Sequence, residues 1–145
     1  METVHTIQIS DARNLSGVEN ATVDLVVTSP PYPMIKMWDA LFSALSEEVE
    51  KKLSEDEGDH AFELMHRELD KVWKELFRVT KPGSFVCINI GDATRTVGGA
   101  FQLYSNHARI IQGMKEQGFD SLPLILWRKQ TNAPNKFMGS GLLPA

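Results

Sequence analysis

The feature that most constrains this sequence is an apolar run that ends abruptly in prolines. Val23–Thr28 is almost continuously apolar and rich in β-branched residues, and the segment Ser29–Pro33, with the sequence SPPYP, follows it directly. Such a run predicts a strand buried on both faces of a parallel sheet. Because proline has no backbone N–H, the strand must end at Thr28 and give way to a stiff turn.

Helix and strand patterns alternate along the rest of the chain. Apolar residues at helical spacing predict helices over residues 38–53, 62–76 and 103–117. Short apolar or alternating runs predict strands at Val4–Ile9, Phe85–Ile90 and Leu122–Trp127. Strands that alternate with helices predict an α/β fold with a mainly parallel sheet, and 145 residues correspond to a single domain, 1–145.

The composition limits the class of protein. Cys87 is the only cysteine, so an intrachain disulfide is impossible, and a reducing, cytoplasmic location is expected. No apolar run is long enough to span a bilayer, so no membrane association is expected. The four histidines show no metal-ligand spacing with Cys87 or with each other, which predicts no metal site.

The turn after the first buried strand resembles a known catalytic motif. Ser-Pro-Pro-Tyr in this context is similar to the motif of the DNA amino-methyltransferases, and its serine form resembles the branch that methylates the N4 amine of cytosine. The resemblance covers about residues 4–130 and implies a partial Rossmann-like methyltransferase sheet, mainly parallel, with helices on both faces. It further implies the permuted order, in which the catalytic motif comes first.

The residue types in this turn suit chemistry on an exocyclic amine, whose lone pair is delocalised into the base. A catalyst must accept hydrogen bonds from the NH₂ group to free that lone pair. The side chain of Ser29 and the carbonyl of Pro30 supply acceptors, and Pro30 and Pro31 keep the turn stiff. Tyr32 offers a ring on which a base flipped out of DNA can stack. These four residues are the predicted catalytic residues.

The resemblance implies S-adenosylmethionine as the cofactor. Asp11 resembles the acidic residue that contacts its adenine end, although an exposed turn aspartate is an equal alternative, and Thr28 lies where the methyl donor would pass. Phe137–Gly141 matches the Phe-x-Gly-x-Gly cofactor loop of the family, but no strand pattern precedes it and only four residues follow. The cofactor-motif half of the enzyme is therefore expected to be absent from this chain.

Charge is divided unevenly along the chain and suggests where DNA would be met. Residues 1–94 carry a net charge of −8 and residues 95–145 a net charge of +4. Within the second segment, a polar loop contains two lysines suited to phosphates and two asparagines suited to base edges. These predicted DNA-binding residues are Lys129, Asn132, Asn135 and Lys136.

The sequence is compatible with several functions. A serine at position 29 favours cytosine N4, but adenine N6 needs the same acceptors. A methyltransferase of protein glutamine amides resembles the motif with asparagine in place of Ser29, and a catalytically silent DNA-binding or partner-binding fragment is a further alternative. In the family's strand order, Val23–Thr28 would lack a neighbour on one edge, so a complementary polypeptide or a homodimer is expected to cover it.

Overall fold

The computed structural model describes residues 2–128. A short 3₁₀ turn at Lys36–Trp38 precedes the first helix. The strands and helices are β1 (Val23–Thr28), α1 (Asp39–Leu45), α2 (Glu47–Ser54), α3 (Gly58–Val79), β2 (Thr80–Ile88), β3 (Ala93–Val97), β4 (Ala100–Tyr104) and α4 (Asn106–Gln117). Across the described residues, none of the helices has the length and apolar character that a bilayer crossing requires.

Strands β1 and β2 form a parallel pair, with the helices α1 to α3 in the connection between them. Leu25 lies opposite Phe85 and Thr28 opposite Ile88. The β1 bounds agree with those predicted. Strand β2 begins at Thr80, five residues earlier than expected, and its register with β1 shifts between the pairs Val23–Thr80 and Leu25–Phe85. The predicted α/β arrangement with parallel pairing is confirmed.

One face of this strand pair supports the core. Helix α3 carries Ala61, Met65, Leu69, Trp73 and Leu76 along one side, at the spacing of an amphipathic helix, and all are buried. They pack with the inward residues of the two strands and with the other helices, in a cluster that includes Val26, Val86, Ile88, Phe42, Val49, Ile110 and Met114. Packing against the 22-residue helix α3 therefore positions the two strands and the turns that follow them.

The opposite face of the strand pair is uncovered in the described residues. Leu25, Val27, Phe85 and Cys87 point to this side, and Val27 is 73% exposed. The expectation that β1 is buried on both faces is therefore wrong for this structure, and Cys87 of β2 is exposed on the same face. The described helices pack on the inner face only, and none crosses the outer one.

Two predicted strands do not form. Val4–Ile9 and Leu122–Trp127 have no regular structure, and Ile9 and Ile125 are 98% and 95% exposed. Apolar, β-branched sequence favours an extended backbone, but a strand requires a neighbour that takes up its N–H and C=O groups. Neither segment belongs to one of the two sheets that the described residues form.

The β3–β4 hairpin was not predicted. Its strands pair in antiparallel register around Gly98 and Gly99, so the expected helix over 103–117 begins at Asn106 instead. The helix predicted over 38–53 is also divided, because Ser46 has an extended backbone between α1 and α2. Helix α4 ends at Gln117 as predicted, and the next residue, Gly118, adopts the left-handed conformation that favours glycine.

Candidate active site

The SPPYP turn lies at the carboxyl end of the parallel strand pair. It leaves β1 at Thr28, whose carbonyl accepts a hydrogen bond from the backbone N–H of Asn89 at 2.8 Å. This bond extends the ladder one step beyond β2, so the two strand ends meet beside the turn. Ligands in open α/β sheets bind in this position, outside the carboxyl ends of parallel strands.

Tyr32 is the centre of a loose group of polar atoms. Its hydroxyl oxygen is 3.4 Å from the Oγ of Ser29, and 3.4 Å from both the carbonyl oxygen and the Nδ2 of Asn89. These separations are longer than ordinary hydrogen bonds, so the three groups are close together without being locked to one another. One edge of the ring lies beside Gly91, where an added Cβ would be 3.4 Å from the ring.

The acceptors expected from the sequence are accessible. Ser29 is exposed, and Pro30 and Pro31 are half-buried. Among the described residues, no hydrogen-bond donor is paired with the carbonyl oxygen of Pro30. The chain then turns sharply at Met34, which has a φ of 65° and is buried with its N–H 3.4 Å from the Sδ of Met65.

A buried asparagine that sequence reasoning did not single out ties the turn to the rest of the fold. The Nδ2 group of Asn106 donates to the carbonyls of Pro33 at 3.1 Å and Gly91 at 3.0 Å. Its Oδ1 is 3.0 Å from the Nε2 of His66 on α3. Both side chains are fully buried, and burial lowers the pKa of His66 to about 4, so its ring is neutral.

Asp92 has a structural role in this arrangement. Its carboxylate accepts a hydrogen bond from the backbone N–H of His107 at 3.1 Å and lies 2.7 Å from the Nδ1 of the same residue. A carboxylate in this place accepts a hydrogen bond from a helix N–H that has no partner within the helix. Its negative charge also interacts favourably with the positive end of the helix dipole. Asp92 therefore joins the segment after β2 to the start of α4.

The two predicted cofactor residues are placed differently. Thr28 lies at the end of β1, directly before the turn predicted to be catalytic. Asp11 is exposed, and both of its carboxylate oxygens accept hydrogen bonds from Arg13, which lower its pKa to about 2. Arg13 also donates to Glu68 on α3, so the hydrogen bonds of Asp11 lead to that helix.

Two arginines counted in the basic segment are neutralised within the molecule. Arg95 makes two hydrogen bonds to Asp39, and the side chain of Arg109, 12% exposed, pairs with Glu63 and Asp70. Hydrogen bonds from Arg109 lower the pKa of Glu63, so the pair stays ionised. The net charge of +4 over residues 95–145 therefore overstates the positive charge available to a phosphate backbone, because Arg95 and Arg109 are already paired with carboxylates.

The remaining predicted residues lie outside the described part of the chain. These are Lys129, Asn132, Asn135 and Lys136 of the polar loop, and the Phe137–Gly141 pattern. Within residues 2–128, no group of His, Cys, Asp and Glu side chains is arranged to hold a metal ion.

Comparison with known proteins places this arrangement among enzymes that act on DNA. A family model described as DNA methylase, for N6 and N4 methyltransferases, matches residues 23–141. The type II methyltransferase M.MthZI of Methanothermobacter thermautotrophicus is 51% identical over 99% of the chain, and M.MjaI of Methanocaldococcus jannaschii is 48% identical over 98%. The chain spans only 41% and 50% of these two relatives.

Solved structures of one protein resemble the fold. TTHA0409, described as a putative DNA modification methylase from Thermus thermophilus, is 27% identical with a TM-score of 0.67 over 98% of this chain and 50% of that one. Its complex with S-adenosyl-L-methionine gives a TM-score of 0.66 and 30% identity over 94% of this chain and 49% of that one. The expected partial Rossmann-like methyltransferase fold is thereby confirmed.

Proposed function

The chain belongs to the DNA methylase family of N6 and N4 methyltransferases, and on that premise we propose that it carries the catalytic portion of an enzyme that methylates DNA site-specifically. The proposed reaction transfers a methyl group from S-adenosylmethionine to the exocyclic N4 amine of cytosine. The observation that carries the proposal is the open set of acceptors in the turn Ser29–Tyr32, at the carboxyl ends of β1 and β2.

The residues of the turn have separate tasks in this reaction. The Oγ of Ser29 and the carbonyl of Pro30 accept hydrogen bonds from the amine and draw its nitrogen toward tetrahedral geometry. Since Pro30 and Pro31 have a fixed φ, these acceptors do not have to reorganise as the reaction proceeds. Tyr32, whose ring edge lies beside Gly91, presents its ring to a base that has left the duplex.

Two residues before the turn, Asp11 and Thr28, are proposed to face the cofactor. S-adenosylmethionine supplies an electrophilic methyl group. Asp11, kept ionised by Arg13, is an acceptor suited to the amine of an adenine ring, and its half-exposed carboxylate leaves room for such a contact. Thr28 would form the wall of the site on the side of the methyl group.

The remainder of the proposed assembly involves DNA and a second structural half. Lys129 and Lys136 are proposed to contact phosphates, and Asn132 and Asn135 the base edges. The uncovered apolar side chains of Leu25, Val27 and Phe85 support a further segment or polypeptide, or a second copy of the chain, packed on the outer face of β1 and β2. The active assembly is the chain together with the part that completes this sheet.

Analysis of the methylated product tests the substrate. DNA is incubated with the active assembly and isotopically labelled S-adenosylmethionine, digested to nucleosides and separated by mass spectrometry. Label in N4-methylcytosine supports the proposal, whereas label in N6-methyladenine favours the adenine branch, which needs the same acceptors. If no nucleoside is labelled and calorimetry detects no cofactor binding by the assembly, the chain is a silent DNA-binding or partner-binding fragment.

A further inference from the structure

Helix α4 begins with a side chain that is unusual for its position. Asn106 is the first residue of the helix and is fully buried, although asparagine is a polar side chain that most often faces water. Burial of an amide is unfavourable unless its donors and acceptors are paired. Here both hydrogens of Nδ2 and the Oδ1 atom have partners between 3.0 and 3.1 Å away.

The chemistry of those partners determines the orientation of the amide. The two carbonyl oxygens, on Pro33 and Gly91, only accept hydrogen bonds, so the NH₂ group must face them. Oδ1 then faces His66 and requires a donor, which places the proton of the neutral imidazole on Nε2. Nδ1 of His66 is left without a partner among the described residues.

The two carbonyls belong to residues that adjoin the proposed catalytic tyrosine. Pro33 directly follows Tyr32 in the turn, and Gly91 lies beside one edge of the Tyr32 ring. One NH₂ group therefore ties the peptide that follows the ring to the backbone beside the ring edge. The adjacent bond from His107 N–H to Asp92 holds the Gly91 segment to the same helix end.

We infer that Asn106, oriented by His66, is the positioning residue that holds the Ser29–Tyr32 turn in its reactive place against the end of β2. The inference rests on the proposed function of that turn. Asn106 itself touches no reacting atom, because both of its donors are occupied by backbone carbonyls. Its loss should let Tyr32 and the acceptors of the turn shift relative to the base, and displacements near 1 Å lower rates by about 100-fold.

Three substitutions and one control test this role in the active assembly. Asn106→Asp keeps the shape but replaces the donor group by an oxygen that repels both carbonyls. His66→Leu removes the donor to Oδ1, whereas His66→Gln offers an amide N–H near the position of Nε2. Val49→Ala removes apolar volume from a buried site on α2, where the side chain makes no hydrogen bond to the turn, and controls for loss of stability.

The expected result is a separation of kcat from KM. For Asn106→Asp, kcat per folded molecule should fall about 100-fold while the KM for DNA changes little. His66→Leu should also lower kcat, His66→Gln should recover most of that loss, and Val49→Ala should leave kcat per folded molecule near the wild-type value. A kcat for Asn106→Asp close to wild type, or an equal loss in Val49→Ala, would overturn the inference. If Asn106→Asp does not fold, the two His66 variants decide the question.

Nuclear magnetic resonance of the isolated chain separates this inference from the proposed function. The side-chain NH₂ of Asn106 should exchange slowly with solvent, and the ¹⁵N shifts of His66 should show the proton on Nε2. Asn106→Asp should move the resonances of Gly91 and the Tyr32 ring. With those shifts present and no methyl transfer in any assembly, the proposed function fails and the positioning contact stands. Unchanged Gly91 and Tyr32 resonances contradict the positioning role whatever the activity.

Discussion

Ser29 gives the most direct test of the chemistry at the scale of a single residue. Ser29→Ala removes one fixed acceptor, and loss of one preorganised hydrogen-bonding group lowers rates by about 100- to 1,000-fold. Tyr32→Ala should abolish transfer as well, because the base loses its stacking surface. Neither change should unfold the protein, since Ser29 is exposed and Tyr32 is outside the core.

The measurement is methyl transfer by the active assembly, with circular dichroism as the check on folding. Ser16→Ala, an exposed serine in the segment before β1, is the matched control and should keep the wild-type rate. If Ser29→Ala retains a rate near that of the wild type, the serine is not an acceptor in the reaction.

His66 predicts a specific pH dependence of stability. Its pKa is lowered from 6.5 to about 4, chiefly by burial and in addition by Arg109, while Asn106 and Glu63 oppose the shift. Between these two pH values the unfolded chain takes up a proton that the folded chain does not. The free energy of unfolding should therefore fall by ~3 kcal/mol as the pH drops from 6.5 to 4, and His66 should add no further loss below that.

Chemical denaturation at pH 7.5 and pH 4.5 measures this effect. His66→Gln is the comparison, because it cannot titrate while carboxylates elsewhere contribute equally to both proteins. The wild type should lose more stability than the variant over this interval. Equal losses in the two proteins contradict a buried neutral histidine.

At the scale of single residues, the sequence predicts local motifs but not contacts between residues that are far apart in the chain. The SPPY turn was predicted because prolines after an apolar strand act on adjacent residues. Asn106 and His66 were missed because their contact joins residues 40 positions apart. A signal was nevertheless present, since Asn106 falls on the same helical face as Ile110 and Gly113 and is therefore a polar residue at a buried position.

Glycines in the β3–β4 turn provide a prediction at the scale of an element. Gly98 and Gly99 have φ values of 58° and 77°, the left-handed pair that a two-residue hairpin turn requires. A Cβ on Gly98 would be 2.8 Å from the Cβ of Asp56, whereas one on Gly99 meets nothing within 4 Å. Gly99→Ala should cost about 1–2 kcal/mol in backbone strain, and Gly98→Ala should cost more because it adds a clash.

Urea denaturation of the two variants compares these positions directly. They share the same turn and the same substitution, so the difference between them reports the contact with Asp56. A Gly98→Ala variant that is as stable as Gly99→Ala contradicts the close approach of the hairpin to the turn before α3.

The elements were predicted best where a boundary signal was strong. Prolines fixed the end of β1, and the long apolar stripe of α3 identified that helix. The hairpin was not predicted because its two strands, of five residues each, are too short to show a clear alternation of apolar and polar residues. The predictions of strands at Val4–Ile9 and Leu122–Trp127 were wrong for a different reason. These residues favour an extended backbone, but a strand also requires a neighbouring strand, which must come from elsewhere in the chain or from outside it.

At the scale of the whole molecule, the salt dependence of DNA binding tests the charge distribution. With Arg95 and Arg109 neutralised by carboxylates, the proposed phosphate contacts fall on Lys129 and Lys136. Replacing both lysines by glutamine should flatten the slope of log affinity against log salt by about two units, since each phosphate contact contributes about one.

Affinity is measured by fluorescence anisotropy on duplex DNA at several salt concentrations. A Lys51→Gln/Lys74→Gln double variant on α2 and α3 removes the same charge from another surface and should leave the slope unchanged. An unaltered slope in the Lys129/Lys136 variant excludes this loop as the phosphate contact. Net charge alone cannot locate the contact, because it does not distinguish a free arginine from one that is already paired.

The exposed side chain of Cys87 has a practical consequence for how assembly can be followed. It is the only thiol of the chain and points outward from β2, opposite Val27 on the uncovered face. A maleimide should alkylate it rapidly in the isolated chain and slowly once the sheet is completed, so labelling kinetics would report occupancy of that face in real time. Identical labelling rates before and after assembly would show that the outer face of β1 and β2 stays bare and that the completing half docks elsewhere.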